Sequence, residues 1–311
     1  MKAGRKIVVM ILAAAFFMLS GCAYVQTVEQ DAVGNGSEAE AEREPEEESN
    51  DLAANHAKKT SVYLNPEWEW AALSEIDKGC AVLYYAPSDR KDIVIGVNAG
   101  HGTIGGEYAS IYCHPDKSPK VTHGTNPAGS LTATAISAGM IFNDRTYESD
   151  VTLRCAQILR DRLLELGYDV LMLRDEQDTQ LDNVARTVIA NNMADCMISL
   201  HWDGDGLDYD KGCFYSPVPD EIKDMEPVAT HWQEHDKLGE SLIEGLRGRK
   251  CKIYKGRIDP LELTQTCYST IPAALVELGN GASAHDDDAL EKLADGLADG
   301  LEVFLKEHIE K

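Results

Sequence analysis

The sequence predicts an α/β fold with a largely parallel sheet and helices on both faces. Strand-length apolar runs alternate with longer stretches of helical period from Ser61 onward, and no linker-like stretch divides residues 61–311. At least one run, Ile93 to Val97, is apolar in the manner of a strand covered on both faces.

The chain opens on "MKAGRKIVVMILAAAFFMLSGC". Lys2, Arg5 and Lys6 precede a short apolar run, Ile7 to Leu19, which reads as an export signal rather than part of the fold. Leu19-Ser20-Gly21-Cys22 resembles the lipobox of bacterial lipoproteins. That resemblance implies residues 1–22 as a signal peptide, lipidation of Cys22, and a protein held by lipid to the outer face of the bacterial cell membrane. Residues 23–60 carry a dense run of glutamates without apolar period and read as a solvated, self-repelling tether.

Within residues 61–311 the expected strands are "CAVLYYA", "DIVIGVNA", "YDVLMLR", "DCMISLH", "CFYS" and "AALVELG". The expected helices are Ser149 to Leu166, Leu181 to Met193, Val228 to Leu246 and Asp286 to Glu307. The formal charge of −24 excludes nucleic acid as a partner, because phosphate binding needs clustered Lys and Arg. Seven cysteines follow Cys22, an odd number, and none forms a Cys-x-x-Cys pair, which argues against a cysteine zinc site. Cys155 and Cys196 fall among apolar residues and are expected as buried thiols.

Four polar residues stand at the ends of these apolar elements. "VIGVNAGHG" ends a strand on His101 between two glycines, and "DCMISLH" ends another on His201. Glu148 opens a helix and projects onto the face marked by Val151, Cys155, Ile158 and Leu159. Taken singly, His101 also fits a polar turn, and Glu148 fits an acid that complements a helix dipole. Together, two imidazoles and one carboxylate make the donor set of a catalytic zinc with an open fourth position. "PAALVELGN" adds Glu277, a strand-end carboxylate that could take a proton from an attacking water and return it to a leaving amine.

"GVNAGHG", the block from "ESDVTLRCAQIL" to "ADCMISLHWD", and "PAALVELGN" resemble the successive motifs of zinc-dependent N-acetylmuramoyl-L-alanine amidases. The similarity runs from about Asp92 to His308. It implies a single α/β domain around a mixed, mostly parallel sheet of about six strands. It also implies His101, Glu148 and His201 as zinc ligands, Glu277 as the catalytic carboxylate, and peptidoglycan as the substrate. Arg174 and Arg186 fall where the family has arginines and are read as structural.

The stretch from Gly102 to Tyr147 is longer than this family's usual loop. It reads as a loop without obvious structure, a cover or extension of the cleft. It makes Glu107 the competing ligand to Glu148. "HWQEH", His231 to His235, matches the pattern of a different class of zinc peptidase. "DGDGLDYDKG" reads as a solvated acidic loop rather than a calcium loop, since it lacks the closing glutamate. A lipid-anchored solute-binding protein and a wall-binding lipoprotein without turnover are the remaining alternatives. The oligomeric state is not legible.

Overall fold

Eight strands rather than about six form the main sheet of the computed structural model, which describes residues 57–258 and 260–308. Cys22, the export signal and most of the expected tether lie outside the described residues. In chain order the strands are β1 (Lys59–Val62), β2 (Ala81–Tyr84), β3 (Val94–Ala99), β4 (Ser110–Tyr112), β5 (Thr132–Thr134), β6 (Asp169–Met172), β7 (Cys196–Asp203), β8 (Cys213–Ser216), β9 (Ile253–Arg257) and β10 (Ala273–Asn280). The helices are α1 (Glu148–Glu165), α2 (Asn183–Met193), α3 (Val228–Gly248), α4 (Thr264–Tyr268) and α5 (Asp287–His308).

The main sheet has the order β1-β2-β6-β3-β7-β10-β8-β9, and β4 and β5 form a separate hairpin. The central strands β6, β3, β7 and β10 are mutually parallel. The pairs β1/β2, β2/β6 and β10/β8 are antiparallel. The two unexpected strands are the two edges. Three of the four residues of β1 are exposed, and β9 buries only Gly256. An edge strand has one bonded neighbour and little to cover, so neither carries the apolar run that marks the centre.

The chain runs from β3 through α1 to β6, then through α2 back across β3 to β7. Helices α1, α3 and α5 bury Leu159, Leu163, Leu242, Leu246, Leu297 and Leu301 against one face. On the other face, α2 packs Ala185 and Ile189 on Leu171, Leu173 and Met197. β3 therefore sits where successive connections depart to opposite sides, and a crevice opens at the carboxyl ends of such strands.

Residues 102–147 contain structure that the sequence did not announce. They hold a 3-10 turn at Gly106–Tyr108 and the β4/β5 hairpin, paired at Ser110–Thr134, Ile111–Ala133 and Tyr112–Thr132. Ile111, Ala135 and Ile136 are buried. These short strands alternate too briefly to register as periodic. Their core partners, Val184 and Val188 of α2 and Val218 and Tyr268, are distant in sequence.

Candidate metal centre and cleft

His101, Glu148 and His201 converge at the carboxyl end of the sheet. His101 follows β3, His201 lies in β7, and Ala99 pairs with Leu200, so parallel register brings the two imidazoles to one edge. Their rings meet edge to face with centroids 4.7 Å apart. Gly100 allows this approach, because a Cβ there would lie 2.4 Å from the His201 ring. At His101 the backbone turns left-handed, with φ of 66°.

The three donor atoms form a nearly equilateral triangle. His101 Nε2 lies 2.9 Å from Glu148 Oε1 and 3.0 Å from His201 Nδ1, and His201 Nδ1 lies 3.2 Å from the same carboxylate oxygen. Metal bonds of about 2 Å place tetrahedral donors roughly 3.3 Å apart, so this triangle fits a small cation with little movement. His101 Nδ1 donates to the Ser137 carbonyl at 2.9 Å, which leaves Nε2 with its lone pair toward the other donors. Glu148 accepts from Met140 N at 2.7 Å and Trp202 N at 3.0 Å.

Burial alone would raise the Glu148 pKa, but hydrogen bonds and charge from the two imidazoles win and hold it well below the usual carboxylate range. Burial lowers His201, against the pull of Glu148. A cation takes the place of the protons that the two imidazoles would otherwise hold against this carboxylate.

Two arginines fix the loop that carries His101. Arg186, fully buried on α2, donates to Asn98 Oδ1, the Ala99 and His101 carbonyls, Thr103 Oγ1 and the Leu181 carbonyl, all between 2.9 and 3.1 Å. Arg174 donates to the carbonyls of Ala99, Gly100, Glu176 and Ser149 and to Thr152 Oγ1. Both are structural, as expected, and both hold the turn between β3 and the triangle.

Glu277 stands one strand over, with Glu277 of β10 opposite His201 of β7. Its Oε2 is buried without a hydrogen-bond partner. Burial, then the charges of Glu148 and Asp203, raise its pKa well above the ordinary value, against the pull of Lys211. Triangle and carboxylate open onto a cleft of about 520 Å³. One wall is built by Thr125, Ala133, Thr134 and Ile136–Met140 of the insertion, the others by Asp203, Gly204, Leu261 and Leu263–Gln265.

The competing assignments separate by position. Glu107 is exposed in the 3-10 turn and takes no part in the triangle. His235 is buried, its Nδ1 accepting from Ala273 N at 3.0 Å, and His231 is 6.3 Å away between ring centroids. The "HWQEH" residues enter neither of the two metal-competent groups among the described residues. The acidic loop is bound rather than free: Lys211 pairs with Asp203 and Asp205, Asn280 donates to Asp205, and Ser283 donates to Asp210. All seven described cysteines are unpaired thiols, and burial pushes Cys155 and Cys196 up to about 12.

The second metal-competent group, His114, Glu262 and Cys267, is wholly buried. Its carboxylate is already saturated. Glu262 accepts from His114 Nε2 at 2.7 Å, Thr122 N at 2.7 Å and Val121 N at 3.0 Å, and the Lys120 ammonium lies 2.5 Å from the Glu262 carbonyl. With an ammonium already inside and the carboxylate's lone pairs taken, this group acts as a clasp that ties the insertion to the segment before α4. Nothing in the sequence marks Glu262 as the partner of His114, which sits 148 residues away.

A family model described as N-acetylmuramoyl-L-alanine amidase matches residues 95–302. Among solved structures, the N-acetylmuramyl-L-alanine amidase Ami1 of Mycobacterium smegmatis shares 16% identity at a TM-score of 0.58, covering 71% of this chain and 100% of its own. The apo form of Ami1 from Mycobacterium abscessus shares 18% at 0.53, covering 69% and 99%. An N-acetylmuramoyl-L-alanine amidase from Clostridium difficile 630 shares 17% at 0.51, covering 70% and 98%. At these identities the likeness speaks for the fold. A search of curated proteins returned no match.

Proposed function

Because this chain belongs to the N-acetylmuramoyl-L-alanine amidase family, we propose that it cuts the amide between the lactyl group of N-acetylmuramic acid and the L-alanine of the peptidoglycan stem peptide. In this reading zinc is held by His101, Glu148 and His201, and Glu277 is the catalytic carboxylate. The observation that carries it is the donor triangle of 2.9 to 3.2 Å with a buried, unpartnered carboxylate oxygen on the adjoining rung.

Zinc bound there supplies Lewis acidity and lowers the pKa of water to about 7. The chain's own residues do the rest. Glu277 takes a proton as water oxygen bonds to the lactyl carbonyl carbon, then gives it to the alanine nitrogen as the C–N bond breaks. The products are a muramic carboxylic acid and a free peptide amine. Burial strengthens the hold of Glu277 on a proton, which suits a group that must both accept and donate near neutral pH. Ser137, through His101 Nδ1, fixes which nitrogen faces the cation.

The test is metal content and stem-peptide release from the same preparation. One zinc per chain is expected in both the unmutated protein and Glu277→Ala, with turnover lower in the variant on the order of 10²- to 10⁴-fold. Full turnover by Glu277→Ala would remove its role, and loss of no zinc in His101→Ala would break the ligand assignment.

We further propose an exported lipoprotein anchored through Cys22 on the outer face of the cell membrane, where peptidoglycan is within reach. Its support is the basic and apolar stretch of residues 1–22 that closes on Leu19-Ser20-Gly21-Cys22. Incorporation of a labelled fatty acid should vanish in Cys22→Ala, and label retained in that variant would overturn the anchor.

A further inference from the structure

A buried donor without a partner is costly unless something else completes it. Gln265, on α4, lines the cleft, is 8% exposed, and its Nε2 has no hydrogen-bond partner. Among the described residues that line this cleft, Glu277 Oε2 and Trp202 Nε1 share that condition.

This amide stands at the end of a hydrogen-bond relay that starts in the core. Arg186 can only donate, so Asn98 Oδ1 must accept from it, at 3.1 Å. Asn98 Nδ2 is then a donor and meets Ser199 Oγ at 3.1 Å. Ser199 Oγ in turn donates to Gln265 Oε1 at 3.3 Å. The relay ends at the Gln265 NH₂, a donor on a residue that lines the cleft.

Register locates that donor relative to the chemistry. Ser199 pairs with Leu275, one rung before the His201 and Glu277 rung on the same face of the sheet. Two residues of strand span about 7 Å, which is also about two residues of extended peptide. A group tied to that rung reaches a neighbouring peptide unit rather than the bond under attack. We propose that Gln265 Nε2 is a substrate-binding donor that takes a backbone carbonyl oxygen of the stem peptide. This inference rests on the amidase reading for the identity of the peptide, and the relay itself does not depend on it.

The experiment compares the zinc-loaded full chain with Gln265→Met, an apolar side chain of similar length. Calorimetric Kd for a soluble N-acetylmuramoyl tripeptide is measured in the Glu277→Ala background to prevent turnover. KM, kcat and melting temperature are measured without it. Kd and KM should rise about tenfold in Gln265→Met with kcat within about twofold, since one hydrogen bond in a cleft is worth roughly that factor. The melting temperature should fall by no more than the loss of one buried hydrogen bond, that from Ser199 Oγ to Gln265 Oε1, partly offset by removal of the unsatisfied donor. Unchanged Kd and KM with normal turnover would overturn the role of Gln265 and leave the amidase reading standing. Gln265-dependent binding without any turnover by the unmutated protein would do the reverse. Weaker binding together with a fall in melting temperature larger than one hydrogen bond accounts for would make the residue structural, and absence of any binding would overturn both readings.

Discussion

The two walls of the cleft are built on different principles. The sheet side sets His101, His201 and Glu277 on consecutive parallel strands, where backbone register alone fixes their spacing, and two buried arginines lock the turn. The insertion side has little regular structure, and residues 114–123 fold round a single carboxylate, Glu262. Positions that must hold to fractions of an ångström rest on a ladder shared by many bonds. Positions that only shape a cleft rest on one clasp, which leaves that wall freer to differ in length between related chains.

Breaking each side separately should expose the contrast. Arg186→Leu has the largest expected effect, because it strands the His101 carbonyl and Asn98 Oδ1 in the core, while the Ala99 carbonyl keeps Arg174. It should cost about 3 kcal/mol or more in urea unfolding and weaken zinc binding on the order of 10- to 100-fold. Glu262→Gln should cost roughly 1–3 kcal/mol, open residues 114–123 to hydrogen exchange, and leave zinc affinity as it was. Zinc loss in the Glu262 variant equal to that in the Arg186 variant would erase the distinction.

A smaller effect belongs to neither wall and serves as a control on the scaffold. His235 meets the first residue of β10, and burial pushes its pKa from 6.5 down to about 3. Below pH 6.5 the unfolded chain binds a proton that the folded chain refuses until about pH 3. Stability from this group is therefore complete above 6.5 and falls as pH drops, by about 1.4 kcal/mol per unit. Between pH 7 and 5 the unmutated protein should lose about 2 kcal/mol more than His235→Gln in urea unfolding. Equal losses would show that His235 ionises without resistance.

The same contrast explains what could be read in advance. His101, His201 and Glu277 were legible because each ends an apolar run, and the parallel pairing that such runs favour brings their ends together. Glu148 was legible because helix period turns it inward. The edge strands β1 and β9 were not, since an exposed strand such as Lys59–Val62 carries no apolar signal. Glu262 and Gln265 were not, because their meaning lies in partners more than sixty residues away, His114 and Ser199, and no local spacing encodes such a pairing.

The opposition of His201 and Glu277 on one rung has a consequence for quality control. Side chains on a strand alternate faces, so a slip of one residue between β7 and the rest of the sheet would swing Ser199 and His201 into the helical core and turn Leu200 and Trp202 toward the cleft. A slipped molecule could keep much of its secondary structure and still lack the metal triangle. Under the zinc reading proposed above, zinc stoichiometry in a purified sample would count correctly registered molecules, and circular dichroism would miss what it detects.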